Sequence, residues 1–397
     1  MKIGILTHYY KSVNYGGNLQ AYALCRALQD MGHDAQQVQI SMTEDCQNLF
    51  RSSGKRWVKK LKKCGKASLN AAKYILKPSY RNACKLKKER FRKLEKVFYH
   101  FNRERIRHSE KVYTDMTVHK ALSRYDMFIT GSDQVWNPVW YFPPYFLNFV
   151  PSCVPKLAYA ASIGHTCLPE KVRKVYRERL KDFLGVSVRE QDAVSLLEGV
   201  APGPVECVLD PTLLLSREQW QQVAAPAEIQ KPYMFCYFLG NGLKERQTAA
   251  EFAAANGLQL VTIPNATGLF HSNDADFGDV RLEDPSVEAF LGLIESADFV
   301  CTDSFHATVF SLIFHRQFAV FPRQGKEQMG SRVYSLLDMF DAVERFCDAE
   351  EKICLSYMQA LPAVDYHQEP EKFATAKETS LAFLKGHLQK AEAMLGL

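Results

Sequence analysis

The sequence predicts an α/β protein made of two Rossmann-like domains with a central cleft between them. Apolar segments of strand length alternate with segments of helical periodicity along most of the 397 residues, which is the pattern of parallel sheets covered by helices. The chain is also long for one ordinary domain, and the alternation starts again near Lys231. Because such sheets bind ligands beyond the carboxyl ends of their strands, the polar residues that follow each strand are the candidates for chemistry.

The first domain is predicted to span residues 1–228 and to begin with a βαβ unit. Residues 2–8 form an apolar run typical of a buried parallel strand, so we expect structure there and not a signal peptide. Helical periodicity follows from Leu19, and Gly32 is expected to end that helix before a second strand at 35–40. Further strands are expected at 125–130, 156–164 and 185–190.

A strongly basic segment, residues 51–111, interrupts this domain. It contains 22 lysines and arginines against four glutamates, a local charge of about +18, whereas the whole chain carries +6. We interpret it as a basic helical insertion that could contact a phosphate-rich partner such as an anionic membrane surface. Nucleic acid is disfavoured because aromatic residues are not regularly interleaved with the cations. The alternative is an ordinary solvated helical face.

The second domain is predicted over residues 229–365. Its strand tips carry two polar clusters, Gly240-Asn241-Gly242 and Thr302-Asp303-Ser304-Phe305-His306. A charged helix within 366–397 closes the chain and is expected to pack back on the N-terminal domain.

The composition describes an ordinary globular protein, with 47% hydrophobic and 24% charged residues and no apolar run long enough to cross a membrane. The 11 cysteines include no Cys-x-x-Cys pair, which argues against a zinc site or a disulfide framework and favours a reducing compartment. We therefore expect a cytoplasmic protein without a metal site.

Two glycine-containing strand tips are candidates for ligand binding, although neither matches a P-loop or a dinucleotide fingerprint. Asn14, Gly16 and Gly17 precede a helix, whose first backbone N–H groups can hold a ligand that the glycines allow to approach. The alternative is a tight turn without a ligand. Asp133, Gln134 and Trp136 suit a sugar, with hydroxyls bonded to the polar groups and a ring stacked on the indole. The alternative there is a capped helix with a buried tryptophan.

His306 is the candidate for proton transfer because it lies in the first turn of a helix after a buried strand. It could instead be a helix cap or a packed core residue. Arg189 ends another apolar strand, where a long cation can bind a carboxylate or phosphate, or pair with Glu190 or Asp192. Three further cations follow the strand that comes after the helix of His306: Arg323, Lys326 and Arg332. They favour an anionic substrate, and the alternative is a surface loop with ordinary solvated charges.

Several stretches together resemble the polysaccharide pyruvyl transferase family. They are "NYGGNLQAYAL", "FITGSDQVWN", "YAASIG", "SVRE", "VLDPTLLL" and "DPSVEAFLGLIESADFVCTDSFHATVFSLIF", in the family's order from about Ile3 to Leu337. The resemblance implies a GT-B-like fold and transfer of the pyruvyl group of phosphoenolpyruvate to two hydroxyls of a sugar as a ketal. It implies no cofactor, and an acceptor sugar that belongs to a surface or capsular glycan precursor. A lipid-linked acceptor would put the protein at the inner membrane face.

The resemblance carries the family's catalytic histidine onto His306, its basic residue after the next strand onto Lys326, and the arginine of Ser-x-Arg-Glu onto Arg189. One position departs from the family, since Ser304 stands where characterised members commonly have an arginine. Arg323 or Arg332 would take its place, or the donor is a different molecule. The predicted donor-binding residues are Ser304, Asn241, Arg323 and Arg332, and the predicted acceptor-binding residues are Asn14, Gly16, Gly17, Asp133, Gln134 and Trp136.

Two other functions fit the same architecture. A GT-B glycosyltransferase would use a nucleotide sugar and an acidic residue that binds the ribose, for which Glu327 is available. A non-catalytic glycan-assembly protein would bind a glycan without turning over any donor.

Overall fold

A computed structural model describes residues 1–42, 49–50, 78–264, 271–323 and 330–397, with residues 78–87 described as backbone only. Within these residues the chain forms two parallel sheets covered by helices. The strands are β1 (Lys2–Leu6), β2 (Asp34–Gln37), β3 (Met127–Thr130), β4 (Lys156–Ala161), β5 (Gly185–Val188), β6 (Val205–Cys207), β7 (Tyr233–Tyr237), β8 (Gln259–Thr262), β9 (Val280–Arg281), β10 (Phe299–Thr302) and β11 (Gln317–Val320).

The helices follow the strands as expected for βα units. They are α1 (Tyr15–Asp30), α2 (Pro78–Arg105), α3 (Glu170–Leu180), α4 (Gln191–Leu197), α5 (Arg217–Gln221), α6 (Leu243–Ala255), α7 (Val287–Glu295), α8 (Phe305–Ile313), α9 (Gly330–Met339), α10 (Leu355–Ala360) and α11 (Glu371–Leu395). None of these helices is both long and apolar enough to span a bilayer.

The two sheets have the order β2-β1-β3-β4-β5-β6 and β11-β10-β7-β8-β9 among the described residues. Each order reverses beside a central strand, β1 in the first sheet and β7 in the second, and ligands of doubly wound sheets bind at such reversals. The loops after β1 and β3 therefore lie at the switch point of one domain, and those after β7 and β10 at that of the other.

The boundary between the two domains is apolar. Tyr15, the first residue of α1, stacks on Phe290 of α7 with 4.3 Å between ring centroids, and its hydroxyl donates to the Pro285 carbonyl at 2.7 Å. Phe98 of α2 packs against the same tyrosine ring at 4.8 Å. Burial of several aromatic rings at this boundary holds the two halves of the cleft together.

The basic segment is described only in part, because residues 51–77 lie outside the described residues. Its α2 portion turns Leu94, Phe98 and Phe101 into the core, and Arg105 lies 3.6 Å from Glu288 of α7. This inner face joins α2 to the second domain, while lysines and arginines occupy much of the outer face.

Helix α11 spans both domains. Near its start Phe373 packs on Phe340 with 4.6 Å between centroids, and in its middle the Ser380 hydroxyl accepts a hydrogen bond from the Leu209 backbone N–H at 2.9 Å. The helix therefore supports the segment that follows β6.

Candidate functional site

His306 lies at the carboxyl edge of the second sheet, in the first turn of α8. The Thr302 hydroxyl at the end of β10 donates to the Tyr237 carbonyl at 2.6 Å and accepts from the Ser304 backbone N–H at 3.0 Å. Ser304 then caps α8, since its hydroxyl accepts from the Ala307 N–H at 3.4 Å. These bonds fix the start of the helix and direct the His306 side chain, which is 12% exposed, toward the first domain.

The His306 ring lies directly against the backbone of Gly16. A Cβ atom built on Gly16 would be 2.0 Å from the His306 Nδ1 atom, well inside van der Waals contact. Helix α1 begins here because the Asn14 side chain accepts from the Gly17 N–H at 3.3 Å. Gly16 is therefore required for close approach between the imidazole and the N-terminus of α1.

Asp210 is the carboxylate nearest to the His306 imidazole among the ion pairs of the described residues. Its Oδ2 atom lies 3.6 Å from His306 Nε2, beyond ordinary hydrogen-bond length. The same oxygen accepts from Arg189 Nη1 at 2.6 Å. The Thr212 backbone N–H and hydroxyl hold the other oxygen at 3.0 and 2.7 Å.

The Asp210 carboxyl is fully buried, yet it is held ionised. Burial by itself favours the neutral acid, but His306, Arg189 and Thr212 together lower the pKa of Asp210 well below its usual range. The site therefore contains a fixed negative charge beneath the imidazole.

Arg189 connects this carboxylate to the loop after β3. Its Nη2 atom is 3.5 Å from Asp133 Oδ1, and its guanidinium lies 4.9 Å from the centroid of the Phe305 ring. The side chain is 3% exposed, and its Nε atom has no hydrogen-bond partner within the described part of the chain. Burial disfavours the cation, but Asp210 and Asp133 outweigh it and raise the pKa of Arg189.

Glu190, which the sequence left open as a partner for Arg189, is engaged elsewhere. Its Oε1 atom accepts from the Ser162 hydroxyl at 2.8 Å and from the Ile163 N–H at 2.9 Å. The predicted alternative of an Arg189–Glu190 pair is therefore wrong, and Asp210 and Asp133 take that part.

Two further arginines come from the second domain. Arg332 of α9 is buried and donates from Nη1 to the Ser162 hydroxyl of the first domain at 3.5 Å. Its Nη2 atom finds no partner among the residues described. Arg323 follows β11, donates to the Asp303 carbonyl at 3.0 Å and lies 3.7 Å from the Asp303 carboxylate.

Arg332 lies within electrostatic range of both Arg189 and Arg323. Burial, followed by repulsion from Arg189, lowers the pKa of Arg332 to about 10, and Arg323 contributes in the same direction. A cluster of buried cations that repel one another is stabilised by an anion placed between them.

The loops after β1 and β3 form the opposite wall. Asp133 adopts a φ of 63°, which is unusual for a residue other than glycine. His8, at the tip of β1, has its Nε2 atom 3.3 Å from the Gln134 carbonyl oxygen. Burial lowers the pKa of His8 despite the nearby Asp133, whereas Arg189 and His306 lower the pKa of Asp133 against the effect of its burial.

Trp136 is not brought to the cleft, and the Asn241 side chain is engaged by a neighbouring turn. Trp136 is fully buried, donates to the Tyr145 carbonyl at 3.0 Å and stacks on Phe146, so the predicted sugar contact is wrong for this residue. Asn241 is exposed and bonds the turn at Ser272 and Asn273. Lys326 and Glu327 lie outside the described residues.

Other predicted residues have structural tasks that limit their side chains. The Gln134 side-chain oxygen accepts from Asn137 at 2.9 Å, and the Asn14 and Ser304 side chains cap helices. Asp303 neither caps α8 nor touches His306, because its two oxygens accept from the Leu239 and Gly240 N–H groups.

Asp210 and His8 are residues of this site that were not predicted from the sequence. Both follow strands of the first sheet, which is the signal that identified His306 and Arg189. Asp210 was hidden because Asp-Pro-Thr also has the pattern of a helix cap, a task that its Oδ1 atom does perform.

Comparisons with known proteins agree with this architecture. The UDP-GlcNAc 2-epimerase from Methanocaldococcus jannaschii superposes with a TM-score of 0.55 at 10% identity, covering 97% of this chain and 99% of that chain. The enzyme of the same name from Rickettsia bellii gives 0.52 at 10% identity, covering 99% and 97%. At such identities the likeness shows the fold alone, and the predicted GT-B-like pair of Rossmann-like domains is confirmed.

Comparison of the sequence with protein families identifies the family of this chain. No curated protein sequence matches the chain. The family model described as "Polysaccharide pyruvyl transferase" matches residues 14–325, which include Gly16, Asp133, Arg189, Asp210 and His306. The chain therefore belongs to the polysaccharide pyruvyl transferase family.

Proposed function

We propose that the protein transfers the pyruvyl group of phosphoenolpyruvate to two hydroxyls of a sugar in a glycan precursor, forming a ketal and releasing phosphate. The observation that carries the proposal is the cluster of Arg189, Arg323 and Arg332, which comes from both domains. Its member Arg189 shares the Asp210 carboxylate with His306. Each guanidinium has a buried nitrogen without a hydrogen-bond partner among the described residues: Nε of Arg189, Nε of Arg323, which is paired with Asp303 only at 3.7 Å, and Nη2 of Arg332.

Phosphoenolpyruvate suits this cluster because it carries two anionic groups on one small carbon frame. Arginine binds both carboxylate and phosphate with directed, charge-assisted hydrogen bonds. Ser304 does not provide the cation common at its position in the family, and Arg323 and Arg332 supply positive charge on the same side of the cleft. Lys326 is proposed to add to it.

In the proposed reaction, protonated His306 gives its proton to the methylene carbon of the donor while the first sugar hydroxyl attacks the adjacent carbon. The proton of that hydroxyl returns the imidazole to its starting state. Phosphate leaves with the electrons of the carbon–oxygen bond, stabilised by the arginines. The second hydroxyl closes the ketal, and its proton leaves with the phosphate.

The acceptor is proposed to approach along the wall formed by Asp133, Gln134 and the Asn14–Gly17 turn. Asp133 is part-exposed and ionised, so it can accept a hydrogen bond from a sugar hydroxyl. Trp136 has no part in this contact because it is buried.

Replacing His306 by alanine is expected to reduce turnover by about 10²–10⁴, the usual effect of removing a general acid–base group. Turnover is measured as phosphate release from phosphoenolpyruvate with candidate acceptors. The His315→Ala variant is the control, since His315 stacks on Tyr366 at the far end of α8. Wild-type turnover in His306→Ala would exclude the catalytic assignment.

Ligand-induced stabilisation separates the proposed donor from nucleotide sugars. Phosphoenolpyruvate is expected to raise the melting temperature, because a ligand that binds only the folded state stabilises it. UDP-GlcNAc tests the glycosyltransferase alternative. Stabilisation by the nucleotide sugar and none by phosphoenolpyruvate would reverse the assignment, and stabilisation by a glycan alone would favour a non-catalytic role.

Replacing Arg332 by methionine is expected to weaken phosphoenolpyruvate binding by about 10–100-fold, the cost of losing a hydrogen bond to a charged group. The free energy of unfolding should not fall, because a buried cation without an ion-pair partner among the described residues is removed. Calorimetric titration and urea denaturation measure the two quantities.

The matched control for Arg332 is Arg345→Met. Arg345 is equally buried, but its guanidinium donates to the Phe318 carbonyl at 2.9 Å and to Gln317 and Pro362. This control should lose stability and keep its donor affinity. If Arg332→Met lost stability and kept its donor affinity while Arg345→Met lost donor affinity, Arg332 would not belong to the donor site.

A further inference from the structure

One carboxylate oxygen is shared between the proposed acid and the proposed donor ligand. Asp210 Oδ2 accepts from Arg189 Nη1 at 2.6 Å and lies 3.6 Å from His306 Nε2. The His306 Nε2 atom is buried and forms no hydrogen bond with any described residue. In this state the oxygen accepts a short hydrogen bond from Arg189 and a long one, at 3.4 Å, from the Ser132 hydroxyl. The imidazole lies just beyond hydrogen-bond length.

The carboxylate itself is held firmly. Its other oxygen accepts from Thr212 through both the backbone N–H and the hydroxyl. The preceding residue, Leu209, is fixed by its N–H to Ser380 of α11 and by its carbonyl to the Tyr159 hydroxyl at 3.0 Å. The Ser132 hydroxyl also lies 3.4 Å from Oδ2, but its shorter bond goes to the Ala160 carbonyl at 3.0 Å. A rearrangement that brings the imidazole and this oxygen together therefore involves Arg189 or His306.

The charges that face His306 from the surrounding elements have opposite signs. Asp210 follows β6 and Asp133 follows β3, and both place negative charge near the ring. Arg189 follows β5, and the positive end of the α1 dipole lies at Gly16, so both of these place positive charge near the ring. The net charge around the ring therefore depends on how much of the Asp210 charge Arg189 neutralises.

We propose that Asp210 is a positioning residue that couples donor binding to protonation of His306. The inference rests on the proposed function. A donor anion that binds Arg189 draws the guanidinium away from Asp210, and the released carboxylate oxygen then accepts the N–H of a protonated His306. His306 therefore gains its proton when the donor binds, and the imidazolium adds a further positive charge beside the donor.

Proton uptake on donor binding tests this coupling without any turnover. Titration of phosphoenolpyruvate into the protein, by calorimetry in two buffers that differ in ionisation enthalpy, gives the number of protons taken up. The His306→Ala variant supplies the baseline for the ligand and all other groups. We expect the wild type to take up about half a proton more than this baseline near neutral pH.

The Asp210→Asn variant removes the charge and keeps the shape of the side chain. Its excess proton uptake is expected to fall to less than about half of the wild-type excess, because the amide cannot hold the imidazolium by charge. An undiminished excess in folded Asp210→Asn protein would overturn the proposal. If this variant does not fold, the wild-type measurement decides alone, since binding without uptake above the His306→Ala baseline also overturns it.

The outcomes separate this inference from the function on which it rests. No binding heat with phosphoenolpyruvate would count against the donor, and the coupling falls with it. Binding and turnover without His306-dependent proton uptake would leave the proposed function in place and remove the coupling only.

Discussion

A Gly16→Ala variant is expected to lose nearly as much activity as His306→Ala, about 10²–10⁴ in turnover, although Gly16 has no reactive group. The added methyl carbon would lie 2.0 Å from His306 Nδ1 and 2.4 Å from Cγ of the same ring. Because the ring cannot stay there, His306 must leave its position against the start of α1. The variant is measured by phosphate release and by thermal melting.

The control for this substitution is Gly386→Ala in α11. A Cβ atom at Gly386 meets nothing within 4 Å, so the change adds helix propensity without a contact. We expect wild-type activity and equal or higher stability. If Gly16→Ala kept wild-type turnover, His306 could not act from the position seen against α1.

Replacing Arg189 by methionine is expected to cost about 3–5 kcal/mol of folding stability, in addition to donor binding, because the change leaves buried carboxylates without their cation. Arg189 lies 2.6 Å from Asp210 and 3.5 Å from Asp133, and its own side chain is almost wholly buried. Urea denaturation of the two proteins at neutral pH measures the loss.

The loss should depend on pH in a defined direction. Arg189 and His306 hold the pKa of Asp210 below its unfolded value, although burial acts the other way. The ionised carboxylate therefore stabilises the fold above the unfolded pKa of about 3.9, and this contribution is lost as the pH falls toward the lower folded value. The difference in the free energy of unfolding between wild type and Arg189→Met should be largest at neutral pH and should become smaller below about pH 4.

Lys156→Met is the control for Arg189. Lys156 is also a buried cation, but its partner Asp182, at 3.5 Å, is 38% exposed and can be solvated by water. Its removal should cost less stability and leave donor affinity unchanged. If the stability lost in Arg189→Met did not become smaller in acid, the loss would come from packing and not from the carboxylates.

The sequence predicted the positions of His306 and Arg189 because one rule locates both. Each follows a strand whose residues are all apolar or small, and parallel strands bring their carboxyl ends to the same edge. The rule needs only local periodicity. It also led to Asp133, whose carboxylate does reach Arg189.

The same rule could not distinguish a side chain that faces the cleft from one that turns into the core. Trp136 lies three residues after Asp133, but its ring stacks on Phe146, which belongs to a later turn. That contact depends on how the chain folds back within the next ten residues, which no strand or helix periodicity indicates. Asp210 shows the converse, because its local cap to Thr212 is complete and gives no sign of the contacts to Arg189 and His306.

The sequence alone could not show which cations replace the arginine that is absent at Ser304. In sequence, Arg323 and Arg332 lie 19 and 28 residues after it, and either could have faced the solvent. In the structure Arg323 returns to the Asp303 carbonyl, and Arg332 reaches Ser162 of the other domain. The positive charge beside His306 thus depends on the packing of α9 across the cleft.

A crystal structure of the protein with phosphoenolpyruvate tests the central claim most directly. We predict density for the donor between Arg189, Arg323 and Arg332, with its methylene carbon facing His306 and the Asp210 carboxylate within hydrogen-bond distance of the imidazole. Donor bound away from these arginines, or a His306 ring turned from it, would contradict the account.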